Sequence, residues 1–205
     1  MNWKRIVLGG RMAGSVSLFA LACTGGDAPP VGEASASSAE PPMAAETAQM
    51  DRIGVAMSAA PPAIASAATI MDFDASGNLV ELRAGTNGWL CLADDTPAAP
   101  GDSPDCVDER WQEWFEAFEE RETPRISGLG MAYMLQGSLS PSNTDPFAEA
   151  PPAGADWIED GPHVMVIVPD PAMLDPFTGE HVRGAPYVMY KGTPYAHLMV
   201  PVPAP

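Results

Sequence analysis

Residues 103–121 read SPDCVDERWQEWFEAFEER. Within them Val107, Trp111, Trp114, Phe115 and Phe118 recur at the spacing that puts side chains on one stripe of an α-helix, with acids on the other side. Ser103 followed by Pro104 suits a helix start, an N-cap with proline in the first turn. The stretch therefore predicts an amphipathic helix that begins there and runs to about Arg121. An aromatic stripe of this kind packs on a sheet more often than it meets a partner.

Strand signals lie on both sides of it. Residues 69–73 and 79–84 read as strands around the turn DASGN at 74–78. Residues 89–92 follow Asn87-Gly88, a tight-turn dipeptide. Residues 126–135 read as a strand, followed by a long polar loop through Pro152. Residues 164–168 form a strong buried strand, and 187–190 and 195–200 are two more, split by KGTP at 191–194. Strands dominate, so the expected class is α+β, a mainly antiparallel sheet with one amphipathic helix packed on a face.

Composition divides the chain. All four Tyr, every Phe except Phe19 and every Trp except Trp3 lie beyond residue 63. Residues 64–205 are thus expected to form a single globular domain, long enough for one hydrophobic core. Residues 23–63 are rich in Ala, Ser, Pro and Glu and contain no aromatic residue, which reads as a flexible tether. Inside it, residues 43–60 stand between Pro42 and Pro61 and carry Met43, Met50 and Met57 at heptad spacing. A marginal helix is expected there, weakened by Gly54.

The N-terminus has the layout of an export signal. Lys4, Arg5 and Arg11 precede an uncharged run at 12–22, too short to span a bilayer but suited to a signal-peptide core. Residues 1–22 are read as that signal peptide. Leu21-Ala22-Cys23 resembles a bacterial lipoprotein box, so Cys23 is the expected lipidation site and the membrane anchor, placing the chain in the cell envelope. Simple secretion with cleavage at the same bond is the alternative. Three cysteines are an odd number for an exported chain. With Cys23 lipidated, Cys91 and Cys106 remain to form a disulfide in an oxidising compartment, one that closes a short loop and contributes about 3 kcal/mol in the chain-entropy model.

The sequence carries a net charge of -17. Without residues 1–22 the chain has 7 bases against 27 acids, or -20. A surface of that sign repels phosphate backbones and excludes nucleic acid as a partner.

Five blocks resemble an uncharacterised family of exported bacterial proteins: GTNGWLCL at 85–92, YMLQ at 133–136, SNTDPF at 142–147, GPHVM at 161–165 and KGTPYAHLM at 191–199. The resemblance spans roughly residues 68–202. It implies a shared domain and no particular activity.

Several motifs invite chemistry. Asp72, Asp74, Ser76 and Gly77 resemble the opening of a calcium loop, but the twelfth position, where a bidentate Glu belongs, holds Arg83. A hairpin turn explains the same residues. No Gly-x-Ser-x-Gly elbow occurs. Ser138 and Ser140 have no local base, and a histidine with Asp145 or Asp170 is too common a set to define a triad. Lys191 reads as a turn lysine and His181 as a solvated loop residue. The most specific constellation is a doubled His-x-Met unit, His163-Val164-Met165 and His197-Leu198-Met199. On a strand, residues two apart share a face, and imidazole with thioether is the donor set that selects Cu(I). Copper is therefore the one cofactor the sequence suggests, held by His163, Met165, His197 and Met199 on neighbouring strands. The expected function is an exported, lipid-anchored binding or structural module of the envelope. A copper-binding protein is the alternative, and a hydrolase the third reading.

Overall fold

The computed structural model describes residues 42–74, 76–93 and 103–203. The signal segment at 1–22, the lipidation site Cys23 and the tether up to residue 41 lie outside the described residues. Among the described residues there are three α-helices, α1 (Pro42–Ser58), α2 (Pro62–Ala65) and α3 (Glu109–Glu119), and a 3-10 turn at Pro171–Leu174. The strands are β1 (Thr69–Phe73), β2 (Leu79–Arg83), β3 (Leu90–Leu92), β4 (Asp105–Val107), β5 (Gly130–Met134), β6 (Ser138–Ser140), β7 (Ile158–Asp160), β8 (His163–Ile167), β9 (Tyr187–Met189) and β10 (His197–Pro201).

Eight strands form one sheet in the order β2-β1-β3-β4-β5-β8-β10-β9, and β6 pairs with β7 apart from it. The β1–β3 pair is parallel, and the other ladders are antiparallel. This is the α+β, mainly antiparallel architecture that the strand pattern predicts. The alternation along β8 and β10 matches their sequences: His163, Met165 and Ile167 are buried, as are His197 and Met199, and the residues between them are half-buried.

Both faces of the sheet carry buried clusters. On one, Met71, Leu90, Val107, Ala132, Met165 and Met199 pack with Trp111 and Trp114 of α3. On the other, Ile70, Cys91 and Cys106 pack with Ala56 and Ala59, at the C-terminal end of α1, and with Ala65 of α2. The small side chains let α1 approach the sheet closely. Arg52 adds a two-point ion pair to Asp72 of β1. The packed unit therefore reaches back into α1, ahead of the boundary after residue 63 that composition suggests. The heptad methionines of 43–60 do mark a helix; Ala56 is fully buried in it, and Ile53, Val55 and Met57 pack half-buried against the same cluster.

The start of α3 differs from expectation. Ser103-Pro104 does not cap it. Residues 105–107 are taken into the sheet as β4, and Asp108 caps the helix, its Oδ1 accepting from the backbone N–H of Arg110 and Trp111. Its Oδ2 accepts from Met131 N–H of β5, so one carboxylate ties the helix start to the sheet. Such a cap contributes ~1 kcal/mol. Gly130 of β5 lies beneath the helix. A Cβ there would meet Ile167 Cγ1 at 2.7 Å and Arg110 Cβ at 2.8 Å.

Cys91 and Cys106 face each other across the β3–β4 ladder and are joined by a disulfide. The bond staples two central strands of the sheet.

Candidate functional site

The three strands β8, β10 and β9 set the site. Met165 stands opposite Met199, and Pro201 opposite His163. On the other side of β10, His197 stands opposite Met189 and Met199 opposite Tyr187. All of these side chains except that of Pro201 are buried. Because β8 and β10 run antiparallel, the two His-x-Met units lie head to tail. The methionines meet in the middle and the histidines sit at opposite ends, roughly 13 Å apart along the strands at the usual rise per residue.

Hydrogen bonds fix both rings. His163 Nδ1 contacts the carbonyl of Gly161 at 2.7 Å, and His197 Nδ1 contacts the carbonyl of Tyr195 at 3.0 Å. A carbonyl only accepts, so Nδ1 carries the proton in both rings and Nε2 keeps its lone pair. By the β8–β10 register the set His163, Met165, His197 and Met199 is spread along the ladder, with the two histidines at its opposite ends, and copper held by those four residues is not what the register builds. The sequence spacing places them on one face correctly but contains no register. Among the described residues, no group of three or more His, Cys, Asp and Glu is placed to hold a metal.

What the register does build is a cavity of about 360 Å³ between α3 and the sheet. Its floor is buried and apolar: Leu90, Val107, Trp111, Trp114, Met165, Met189 and Met199, with His197. Its rim is half-buried and includes Phe73, Leu79, Leu92, Phe115, Phe118, Met134 and Leu139, with Ser138, Ser140 and Tyr190. Among the described residues, the charged side chains that line it are Asp105 and Glu119. The aromatic stripe read as core is core, yet it does not close on the sheet. Trp114 stacks on Phe118 with ring centroids 5.1 Å apart, and Trp111 meets Trp114 at 5.0 Å.

His197 is enclosed by aromatic rings. Trp111, Trp114 and Tyr190 present edge-to-face contacts with centroids at 5.2, 5.7 and 5.5 Å. Burial drives its pKa down to about 4; the Tyr195 carbonyl opposes this and His163 adds a smaller depression. Its Nε2 is therefore an uncharged lone pair at neutral pH. His163 is also pushed below the ordinary histidine range by burial, against the Gly161 carbonyl and Asp160. Its Nε2 is buried without a hydrogen-bond partner, as are the indole nitrogens of Trp111 and Trp114. Tyr190 adopts a positive φ of 56°, and burial raises its hydroxyl to about 12.

The remaining motifs are structural in geometry. Asp72 faces Arg52, and Asp74 Oδ1 accepts from the N–H groups of Ser76 and Asn78, an Asx-type turn in the β1–β2 hairpin. Hydrogen bonds from Asn78 lower the pKa of Asp74. The calcium-like carboxylates are thus engaged by protein donors. Asp145 accepts from Phe147 N–H and Asp170 from Ala172 N–H, so both serve turns. Lys191 Nζ donates to the carbonyls of Asp175 and Phe177, which fixes the loop before β9. His181 is not simply solvated: its Nε2 lies 3.2 Å from Asp160 Oδ1, and the other oxygen of Asp160 accepts from Tyr187 Oη at 2.8 Å. Burial and the charge of Asp160 push the Tyr187 pKa upward.

Two features escaped the sequence. Met189 joins the His-Met face because β9 pairs with β10, and the short link at 190–196 was the signal for that pairing. The cavity itself has no sequence signature, since an amphipathic stripe reads alike whether or not a gap remains beneath it. No protein-family model, curated protein or solved structure matches the chain.

Proposed function

We propose that this protein is an exported, lipid-anchored binding module of the cell envelope that holds a small apolar molecule in the cavity between α3 and the sheet. The observation that carries the reading is the cavity: about 360 Å³, floored by tryptophan, leucine and methionine. Ligand sites in proteins run from roughly 300 to 1,000 Å³ and are mostly apolar with a few polar groups. Methionine side chains adapt their shape to what they contact, so four of them, Met134, Met165, Met189 and Met199, suit an irregular hydrocarbon guest.

Placement in the envelope rests on the uncharged run at 12–22, on Leu21-Ala22-Cys23, and on the Cys91–Cys106 disulfide, which belongs to an oxidising compartment. No described helix is long and apolar enough to cross a membrane; the attachment proposed is the lipid on Cys23. Binding is preferred over hydrolysis because the cavity lining is mostly apolar, with Ser138 and Ser140 on its half-buried rim and His197 on its floor.

The test uses 1-decanol as probe, with tryptophan emission and native mass spectrometry as readouts. Saturable 1:1 binding is expected, because Trp111 and Trp114 wall the cavity. Unsaturable emission changes together with no decanol adduct would overturn the reading.

A further inference from the structure

We propose that Met189, Met199 and His197 form a site for a soft monovalent metal ion, Cu(I), on the floor of the cavity. The set follows from pairing, not from sequence spacing. His197 and Met189 are direct cross-strand partners, and Met199 follows His197 by two residues on the same face. Neighbouring side chains in such a patch stand about 5 Å apart across strands and about 7 Å along them. Three flexible or tiltable side chains at those spacings can meet one ion above the patch. Met165 lies across β10 from Met189, about 12 Å away by the same spacings, and stands outside the set.

A second observation is independent of register: all three line the same cavity, whereas His163 does not. Two thioethers and one imidazole are a soft, neutral donor set. Hard cations prefer oxygen, and thioethers select Cu(I). The imidazole is prepared for the role. Its Nδ1–H donates to the Tyr195 carbonyl, which fixes the tautomer and leaves Nε2 as the free donor, the usual outer-sphere arrangement of a metal-binding histidine. Water and competing anions are kept from the ion by Trp111 and Trp114, which contact the His197 ring. The acids Asp105 and Glu119 line the same cavity and favour a cation over an anion.

The experiment titrates the mature chain with Cu(I), under ascorbate and without thiol, against a competing bidentate Cu(I) chelator. One Cu(I) per chain is expected. The Met189→Leu/Met199→Leu variant keeps side-chain volume and apolarity but removes two sulfurs. Its affinity is expected to fall by at least about a hundredfold. Met71→Leu, in the same buried cluster but away from the cavity, should bind as the parent does. A second readout needs no variant: Ag(I), a redox-silent substitute, should shift the methyl NMR signals of Met189 and Met199 and spare Met71. Failure of the chain to take Cu(I) from the chelator, equal affinity in the double variant, or Ag(I) shifts elsewhere would overturn the proposal. The decanol titration reads the apolar cavity separately, so loss of the metal site leaves that reading intact.

Discussion

Arg52 of α1 holds Asp72 of β1 at two points: Nε donates to Oδ2 at 2.8 Å and a terminal nitrogen to Oδ1 at 2.9 Å. The same guanidinium also donates to the carbonyl of Ala93. Asp72 is 8% exposed, so an uncompensated charge there is costly. Replacing Arg52 by Met should strand the carboxylate and lower stability by about 2 kcal/mol, while Arg52→Met/Asp72→Asn should recover part of the loss. Urea unfolding of the single and double variants measures this. A double variant no more stable than Arg52→Met would mean that the pair is not coupled.

The disulfide gives a second prediction. Cys91 and Cys106 should resist alkylation until reductant is added. Cys91→Ser/Cys106→Ser should lose about 3 kcal/mol, the value expected for a loop of this length. Immediate labelling of both thiols in freshly isolated protein would contradict the bond.

Stability should fall in mild acid. His197 has a native pKa of about 4 against an unfolded value of 6.5, because burial disfavours its charged form. Below 6.5 the unfolded chain takes up a proton that the native chain refuses. The contribution is thus full above that pH and is lost progressively toward pH 4, amounting to on the order of 3 kcal/mol. His163 adds in the same direction. The stability difference between wild type and His197→Gln should therefore narrow as pH drops from neutral to 4.5. A constant difference would show that His197 does not titrate in this window.

Leu139 of β6 sits on the half-buried rim of the cavity. Leu139→Trp should fill space that a guest would occupy and weaken decanol binding by about tenfold, with an unfolding midpoint close to the parent. Unchanged decanol affinity would place the guest elsewhere.

The anchor is tested in the native host. Intact mass of the mature protein should show acyl chains on Cys23 as its first residue. Cys23→Ser should release the protein from the membrane fraction. An unmodified Cys23 amine would leave secretion without an anchor.

Local pattern along the chain marks the elements and their inward faces. The period-two pattern at 163–167 and 197–200 and the stripe from Trp111 to Phe118 mark which side chains turn inward, because a strand or helix fixes direction locally. Turn chemistry at 74–78 and 87–88 likewise placed β1, β2 and β3. Cysteine parity predicted the pairing of Cys91 with Cys106 that the structure contains. Elements held only by distant partners were not legible. Three-residue strands such as β4 and β6 carry too little pattern, and α1 docks from a stretch that composition reads as tether. Register was the decisive quantity withheld. Strand pairing is a long-range choice, and the antiparallel ladder of β8 with β10 sends the two histidines to opposite ends while β9 brings Met189 beside His197. The gap between α3 and the sheet is set by how far Trp111 and Trp114 hold the helix off the strands, a matter of volume and packing that only the folded chain decides.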